Sequence, residues 1–376
     1  MKRSPTKLKL LALAVVLCGM PAFADNASPD ILSLARLDGY TMALTDAAKF
    51  SGVVLIAHDG KVVFEKAYGP RDPNADALAT VQTRYNLASA GKMFTATAIL
   101  QLVESGKLTL DSKVGTILTD YPNTELAGKV TVRHLLTHMG GAGDVGLFGT
   151  ENAENRKRVR SLADMLALHG NRAPAFEPGT QQQYGNFGHI ILGRIVEIIS
   201  GETFEDYVQK HIFVPARMGA TGFVNCVKIS DDIAVGYVEV EGKMVRNCAT
   251  LPARGFPAGG QVSTARDMLR FVEALKSGAL LKPKTFASAI KSQHEFMGLG
   301  FFATGYGPDV PTRDFRWGHG GSADGICTDV RTYPETGETI IVLSNREAPT
   351  CYDVSNFLHR ISNDPERGLN ARNSRQ

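Results

Sequence analysis

The chain has 376 residues, and its 41 Lys and Arg against 38 Asp and Glu give a formal net charge of +3. Lys2, Arg3, Lys7 and Lys9 lie in the first 24 residues, which hold no acid, so the remaining 376 − 24 = 352 residues carry 3 − 4 = −1. That balance excludes a nucleic-acid or anionic-membrane surface built on bulk charge, and the 43% hydrophobic content suits one large globular domain.

Residues 1–24 read as a secretory signal peptide. A basic start precedes the apolar run Leu10 to Leu17, and Ala22-Phe23-Ala24 is a small-x-small cleavage site before Asp25. Cys18 raises a lipoprotein signal, but Leu17 stands where such a signal needs a small residue. The mature protein is therefore expected outside the inner membrane, periplasmic or extracellular, with no stable membrane anchor. Four cysteines remain, Cys226, Cys248, Cys327 and Cys351. In an exported chain they permit two disulfides. The local pairings Cys226–Cys248 and Cys327–Cys351 are the expected ones, with four free thiols as the alternative.

Apolar residues at helical spacing predict a helix within Pro29 to Lys49. Ser51 to Ala57 and Lys61 to Ala67 then form a hairpin around Asp59-Gly60. A mainly helical stretch follows, with helices over Phe94 to Leu102, Val132 to His138, Leu162 to His169, Phe187 to Ile199 and Ala265 to Ser277. Strands return at Phe315 to His319, Gly325 to Tyr333 and Glu338 to Ser344, and Cys351 to Ile361 is a last helix. The polar tail 363–376 has little to bury and is expected to be disordered. The hairpins at the two ends have no other sheet to join. The expected fold is α+β: an antiparallel sheet built from both chain ends (about 28–85 and 315–362), flanked by helices. The middle (about 86–314) is then a large, mainly helical insertion.

Three segments can carry chemistry. Ser89-Ala90-Gly91-Lys92 places a hydroxyl and an amine three residues apart on one helix face. A serine becomes a nucleophile once a base takes its proton, and a lysine serves only if its pKa is held down. On these four residues alone, a surface N-cap followed by a solvated lysine is the better reading. Tyr184-Gly185-Asn186 precedes the helix at Phe187, where Tyr184 can move a proton and Asn186 can bind substrate or cap the helix. Trp317-Gly318-His319-Gly320-Gly321-Ser322 stands at the end of a predicted strand, where glycines admit a substrate close to the backbone. His134 and His138 have a zinc-compatible i, i+4 spacing but no third ligand, so a structural role is preferred and no metal or cofactor is expected. There is no G-x-S-x-G elbow, because Leu87 stands two residues before Ser89.

In this order, Ser-x-x-Lys, Tyr-x-Asn and a Gly-rich strand resemble the serine β-lactamase and penicillin-binding-protein family, a β-lactamase/transpeptidase-like fold. The resemblance is to its class C β-lactamase-like branch, which also holds D,D-peptidases, D-aminopeptidases and esterases. It extends over roughly residues 40 to 350, through His134-Leu-Leu-Thr-His138 with Gly140-Gly141, Phe176 to Asn186, and Gly259 to Asp267. It implies Ser89 as nucleophile, Lys92 and Tyr184 sharing the base role, and Asn186 orienting substrate. It places His319 at the lysine of the family's Lys-Thr-Gly motif and the N–H groups of Ser89 and Ser322 in the oxyanion hole. Two departures stand out. His319 replaces a permanent cation with a group that titrates near neutrality, and Gly320 lacks the hydroxyl that many β-lactam-binding members offer a carboxylate. The reading is a secreted serine hydrolase of esterase or D-amino-acid peptidase type, acting on a small molecule or peptide. The alternatives are a dedicated β-lactamase or D,D-carboxypeptidase and, in another class, a non-catalytic peptidoglycan- or protein-binding module. Oligomeric state is left open.

Overall fold

The computed structural model describes residues 31–75, 77–145, 148–226, 229–305 and 314–362. The signal-peptide and tail readings lie outside the described residues. Among the described residues, no helix is long and apolar enough to cross a membrane.

Six strands form one antiparallel sheet: β1 (Gly52–His58), β2 (Lys61–Tyr68), β3 (Phe302–Thr304), β4 (Arg316–Ala323), β5 (Ile326–Tyr333) and β6 (Glu338–Ser344), in the order β2-β1-β6-β5-β4-β3. The β1–β6 pairing, Gly52↔Ser344 through His58↔Glu338, joins the two chain ends as expected. The β1–β2 turn has Asp59 at φ 46° and Gly60 at φ 74°, the doubly positive geometry of a tight hairpin. β1 is buried on both faces, which explains its unbroken apolar run. Val54 and Ile56 face one cluster, with Leu37 and Leu358 from the terminal helices α1 (Ile31–Asp46) and α7 (Thr350–Ser362); Val53, Leu55 and Ala57 face the other. The stacked rings of Tyr40 and Phe357, 4.2 Å apart, pin α1 to α7.

On the second face α2 (Lys92–Glu104) and α6 (Ala265–Lys276) pack on the sheet, α5 (Phe187–Ser200) packs on α2, and α3 (Val132–Leu136) and α4 (Leu162–His169) pack on α5. From Lys92 to Leu100, α2 is buried without a break, so it is a core helix. Phe94 meets Phe213 and Phe271 edge-on at 4.9 and 4.8 Å. Both expected disulfides are formed, Cys226–Cys248 and Cys327–Cys351.

Three details differ from the sequence reading. Edge strand β3 comes from the stretch read as helical, and a hairpin of Tyr237–Val240 with Lys243–Arg246 lies there too. The His319 segment lies inside β4, not at a strand end. On β4, β3 pairs with Arg316, Trp317 and Gly318. Beyond Gly318, β4 packs on the turn that holds Ser89: a Cβ on Gly321 would stand 2.3 Å from the Leu87 carbonyl oxygen and 2.9 Å from the Ser89 nitrogen.

Candidate active site

Ser89 sits in a single turn, Ala88–Gly91, that runs straight into α2. Ala88 has φ 41°, a left-handed conformation that non-glycine residues seldom adopt. The surroundings hold it there. The Ala88 N–H donates to Asn86 Oδ1 (2.8 Å), the Gly260 N–H to the Ala88 carbonyl (3.0 Å) and the Leu87 N–H to the Gln261 carbonyl (2.8 Å). Gly259 has φ 133°, and a Cβ on it would stand 1.9 Å from the Ala88 carbonyl oxygen. The Gly259 to Gln261 segment therefore cradles the Ser89 turn.

The Lys92 side chain is wholly buried beneath that turn. Its Nζ donates to Ser89 Oγ at 3.0 Å, Asn186 Oδ1 at 2.8 Å and the Ala258 carbonyl at 2.8 Å. Burial lowers its pKa to about 7, while the Asp144 charge acts in the opposite direction. The amine also stands 4.9 Å from the centre of the Tyr184 ring. Tyr184 as a whole leaves 43% of its surface open. Its hydroxyl end is desolvated and hydrogen-bonds with Ser89. Burial pushes the phenol pKa well above its ordinary value, and the Ser89 hydrogen bond only partly offsets this.

Asn186 stands at the N-cap of α5, yet its side chain makes no capping bond. The amide instead bridges Lys92 and Asp144, its Nδ2 lying 3.0 and 3.2 Å from the two Asp144 oxygens. The capping alternative is thus set aside. His319 is buried and stacked on Phe302, with ring centres 4.0 Å apart. Burial, reinforced by the Lys92 charge, drops its pKa to about 3. This corrects the expectation of a group titrating near neutrality: His319 is a neutral imidazole at physiological pH. A Cβ on Gly320 would lie 2.8 Å from the Tyr352 hydroxyl, so a phenol from α7 fills the space beside it.

Ser89, Asn186 and Ser322 line one cavity of about 370 Å³, with Phe148, Leu251, Phe256 and Ile326 among its apolar walls. The structure thus gathers Ser89, Lys92, Tyr184, Asn186 and His319 around one point. Gly321 lies against the Ser89 turn and Gly320 against Tyr352. The four cysteines brace the surroundings. Cys327–Cys351 joins β5 to α7, next to Tyr352, and Cys226 and Cys248 border Leu251 and Pro252.

Sequence reasoning missed Asp144, Phe302, His189 and Tyr352. His138 entered the sequence reading through its spacing from His134 and as part of the resembling segment His134 to Gly141, without a role at the site. His138 packs 4.4 Å from the Tyr184 ring and 5.1 Å from His189. His134 instead completes a capping box with Thr131. Among the described residues, no group of three or more His, Cys, Asp or Glu can hold a metal ion.

The family model described as Beta-lactamase matches residues 38–361. A Bacillus subtilis protein described as penicillin-binding, PbpX, is 30% identical over 254 residues, 67% of this chain and 62% of that protein. This chain therefore spans less than two thirds of that relative's length. Esterase EstB of Burkholderia gladioli is 28% identical over 316 residues, covering 74% of this chain and 80% of the esterase. The crystal structure of a penicillin-binding protein from Bacillus halodurans superposes with a TM-score of 0.73 at 28% identity, covering 85% of this chain and 98% of that one. A match that runs from α1 to α7 takes in the sheet and the helical layer alike, and the chain belongs to the beta-lactamase family of serine hydrolases.

Proposed function

We propose that the protein is an exported hydrolase that forms an acyl-enzyme on Ser89, with an ester or a D-amino-acid amide or peptide as acyl donor. The observation that carries this reading is the Lys92 amine: buried, 3.0 Å from Ser89 Oγ and with a pKa of about 7. A base with its pKa near the working pH is neutral often enough to accept a proton and basic enough to hold it. The Tyr184 phenol, pushed up by burial, is protonated at the same pH. On this reading Lys92 is the base for acylation, and its lowered pKa beside the protonated Tyr184 phenol supports that assignment.

In the reaction, Lys92 Nζ takes the Ser89 proton as Oγ bonds to the acyl carbon. The N–H groups of Ser89 and Ser322 receive the oxyanion. The bond to the leaving alkoxide or amine breaks, and the Tyr184 hydroxyl, which faces Ser89, hands it a proton. Tyr184 is reprotonated from Lys92. Water then attacks the acyl carbon and gives its proton by way of Tyr184 to Lys92; the acyl carbon–Oγ bond breaks, the carboxylic acid leaves, and Lys92 returns the proton to Oγ.

Substrate preference follows from two features. The apolar walls around Phe148, Leu251 and Phe256 suit an apolar acyl group. The neutral His319 and the side-chain-free Gly320 offer a carboxylate neither a cation nor a hydroxyl. That ranks an ester, or an amide without an adjoining carboxylate, above a β-lactam or a D-Ala-D-Ala terminus. The esterase among the relatives supports this order. Export rests on the first 24 residues of the sequence, and the two disulfides agree with an oxidising compartment.

A panel of nitrophenyl esters, D-amino-acid amides, D-Ala-D-Ala peptides and a chromogenic cephalosporin tests the assignment. The expected order of kcat/KM is esters or D-amino-acid amides first. Cephalosporin turnover in the usual enzymatic range, above that of the esters, would reverse it.

A further inference from the structure

Asp144 belongs to no motif of the sequence, yet its carboxylate touches the centre of the site. Both of its oxygens face Asn186 Nδ2, at 3.0 and 3.2 Å. An amide nitrogen so engaged leaves the Asn186 oxygen no direction but inward, where it accepts from Lys92 Nζ at 2.8 Å. The carboxylate is itself held. Its Oδ1 accepts from the Val145 N–H at 2.7 Å. Arg172 donates to the Asp144 carbonyl, to the Ala142 carbonyl at 3.1 Å and to the His169 carbonyl at 3.0 Å, tying this loop to the end of α4. Gly185 lies so close to the loop that a Cβ there would stand 2.5 Å from the Gly143 carbonyl oxygen.

We propose that Asp144 is a positioning residue: its carboxylate locks the Asn186 amide with the oxygen toward Lys92 and places a negative charge that bears on the Lys92 amine. This inference rests on the reading of Ser89 and Lys92 as nucleophile and base. The other titratable groups around Lys92 are His138 beyond α3, His189 on α5, His319 on β4 and Tyr184 before α5. Burial keeps all three imidazoles and the phenol neutral. Asp144 therefore supplies the charge that holds the Lys92 pKa up against burial. Removing that charge lowers the pKa, so the free amine persists to lower pH. The acid limb of the rate profile then moves down.

The test uses the full enzyme with Asp144→Asn and Asp144→Ala, a nitrophenyl ester, and kcat and kcat/KM from pH 5 to 9. Asp144 is exposed, so water damps its charge and the expected shift of the acid limb is about half a pH unit downward in both variants. Asp144→Asn keeps an acceptor for the Asn186 amide and is expected to hold plateau kcat within about 3-fold. Asp144→Ala frees that amide and is expected to lose about 10-fold or more. If the acid limb stays at its wild-type position or moves upward, the charge role is wrong. If the plateau kcat of Asp144→Ala matches wild type, the lock is wrong. Should Asp144→Ala fail to fold, the limb position in Asp144→Asn still decides. Ser89→Ala in parallel separates the two levels. Full activity there overturns the underlying mechanism, whereas a dead Ser89→Ala with unchanged Asp144 variants overturns only the inference about Asp144.

Discussion

Gly321 on β4 faces the Ser89 amide with no room for a side chain: a Cβ would stand 2.9 Å from Ser89 N and 2.3 Å from the Leu87 carbonyl oxygen. These obstacles are backbone atoms, so they cannot swing aside. Gly321→Ala must therefore push β4 off the Ser89 turn and separate the two proposed oxyanion donors, Ser89 N–H and Ser322 N–H. Removing one such donor costs roughly 100- to 1000-fold in kcat. A loss of at least about 100-fold on a nitrophenyl ester is expected of Gly321→Ala. Activity within about 3-fold of wild type contradicts this geometry.

Lys92 links activity to pH and pH to stability. Its folded pKa of about 7 predicts that kcat/KM falls as pH drops below about 7, because the amine then carries the proton it must accept. The same shift acts on folding. Between the folded value of about 7 and the unfolded value of 10.5, the unfolded chain binds a proton that the native state does not. Stability from this group therefore rises with pH across that window, by up to roughly 1.4 kcal/mol per pH unit. Lys92→Met fills similar volume without a charge. It is expected to be inactive and to show a flatter dependence of urea-unfolding free energy on pH between 7.5 and 10. Equal slopes for wild type and variant refute the depressed pKa.

His319 tests why the strand differs from the family's Lys-Thr-Gly pattern. Its ring stacks on Phe302 at 4.0 Å in a buried setting beside Lys92. His319→Lys places a second buried cation next to Lys92, whose amine among the described residues bonds to Ser89, Asn186 and the Ala258 carbonyl and to no carboxylate. An uncompensated buried charge costs about 3–5 kcal/mol. A lower melting temperature and no gain in cephalosporin hydrolysis are expected. A stable variant with raised cephalosporinase activity shows that the lysine alone was missing.

The Cys327–Cys351 bond closes a 24-residue separation and ties β5 to α7 beside Tyr352. Replacing both cysteines with serine is expected to cost about 2–4 kcal/mol in urea unfolding. An unchanged midpoint in the double variant, or in reduced wild type, contradicts it.

Much of this was legible in the sequence because the signals were local. The α4 bounds Leu162–His169 and the β6 bounds Glu338–Ser344 follow from periodicity and turn chemistry. Ser89 and Lys92 were legible because one helical turn separates them. Tyr184 and His319 drew notice from the glycines around them, and the resemblance tied them to Ser89. What escaped notice depends on packing between distant segments. Asp144 meets Asn186 across 42 residues through a glycine-bearing loop with no periodicity. Strand β3 is three residues long, too short for alternation to show. The state of His319 was misread because the fall in its pKa comes from burial under Phe302 and beside Lys92, which residue type alone does not reveal.

The central claim is a covalent acyl group on Ser89, and intact-protein mass spectrometry tests it most directly. The enzyme is treated with a fluorophosphonate, and separately quenched in acid during turnover of a slowly hydrolysed ester. A mass increase equal to one adduct is predicted, mapping to the peptide that contains Ser89 and absent from Ser89→Ala. An adduct that persists in Ser89→Ala, or maps to another residue, contradicts the account.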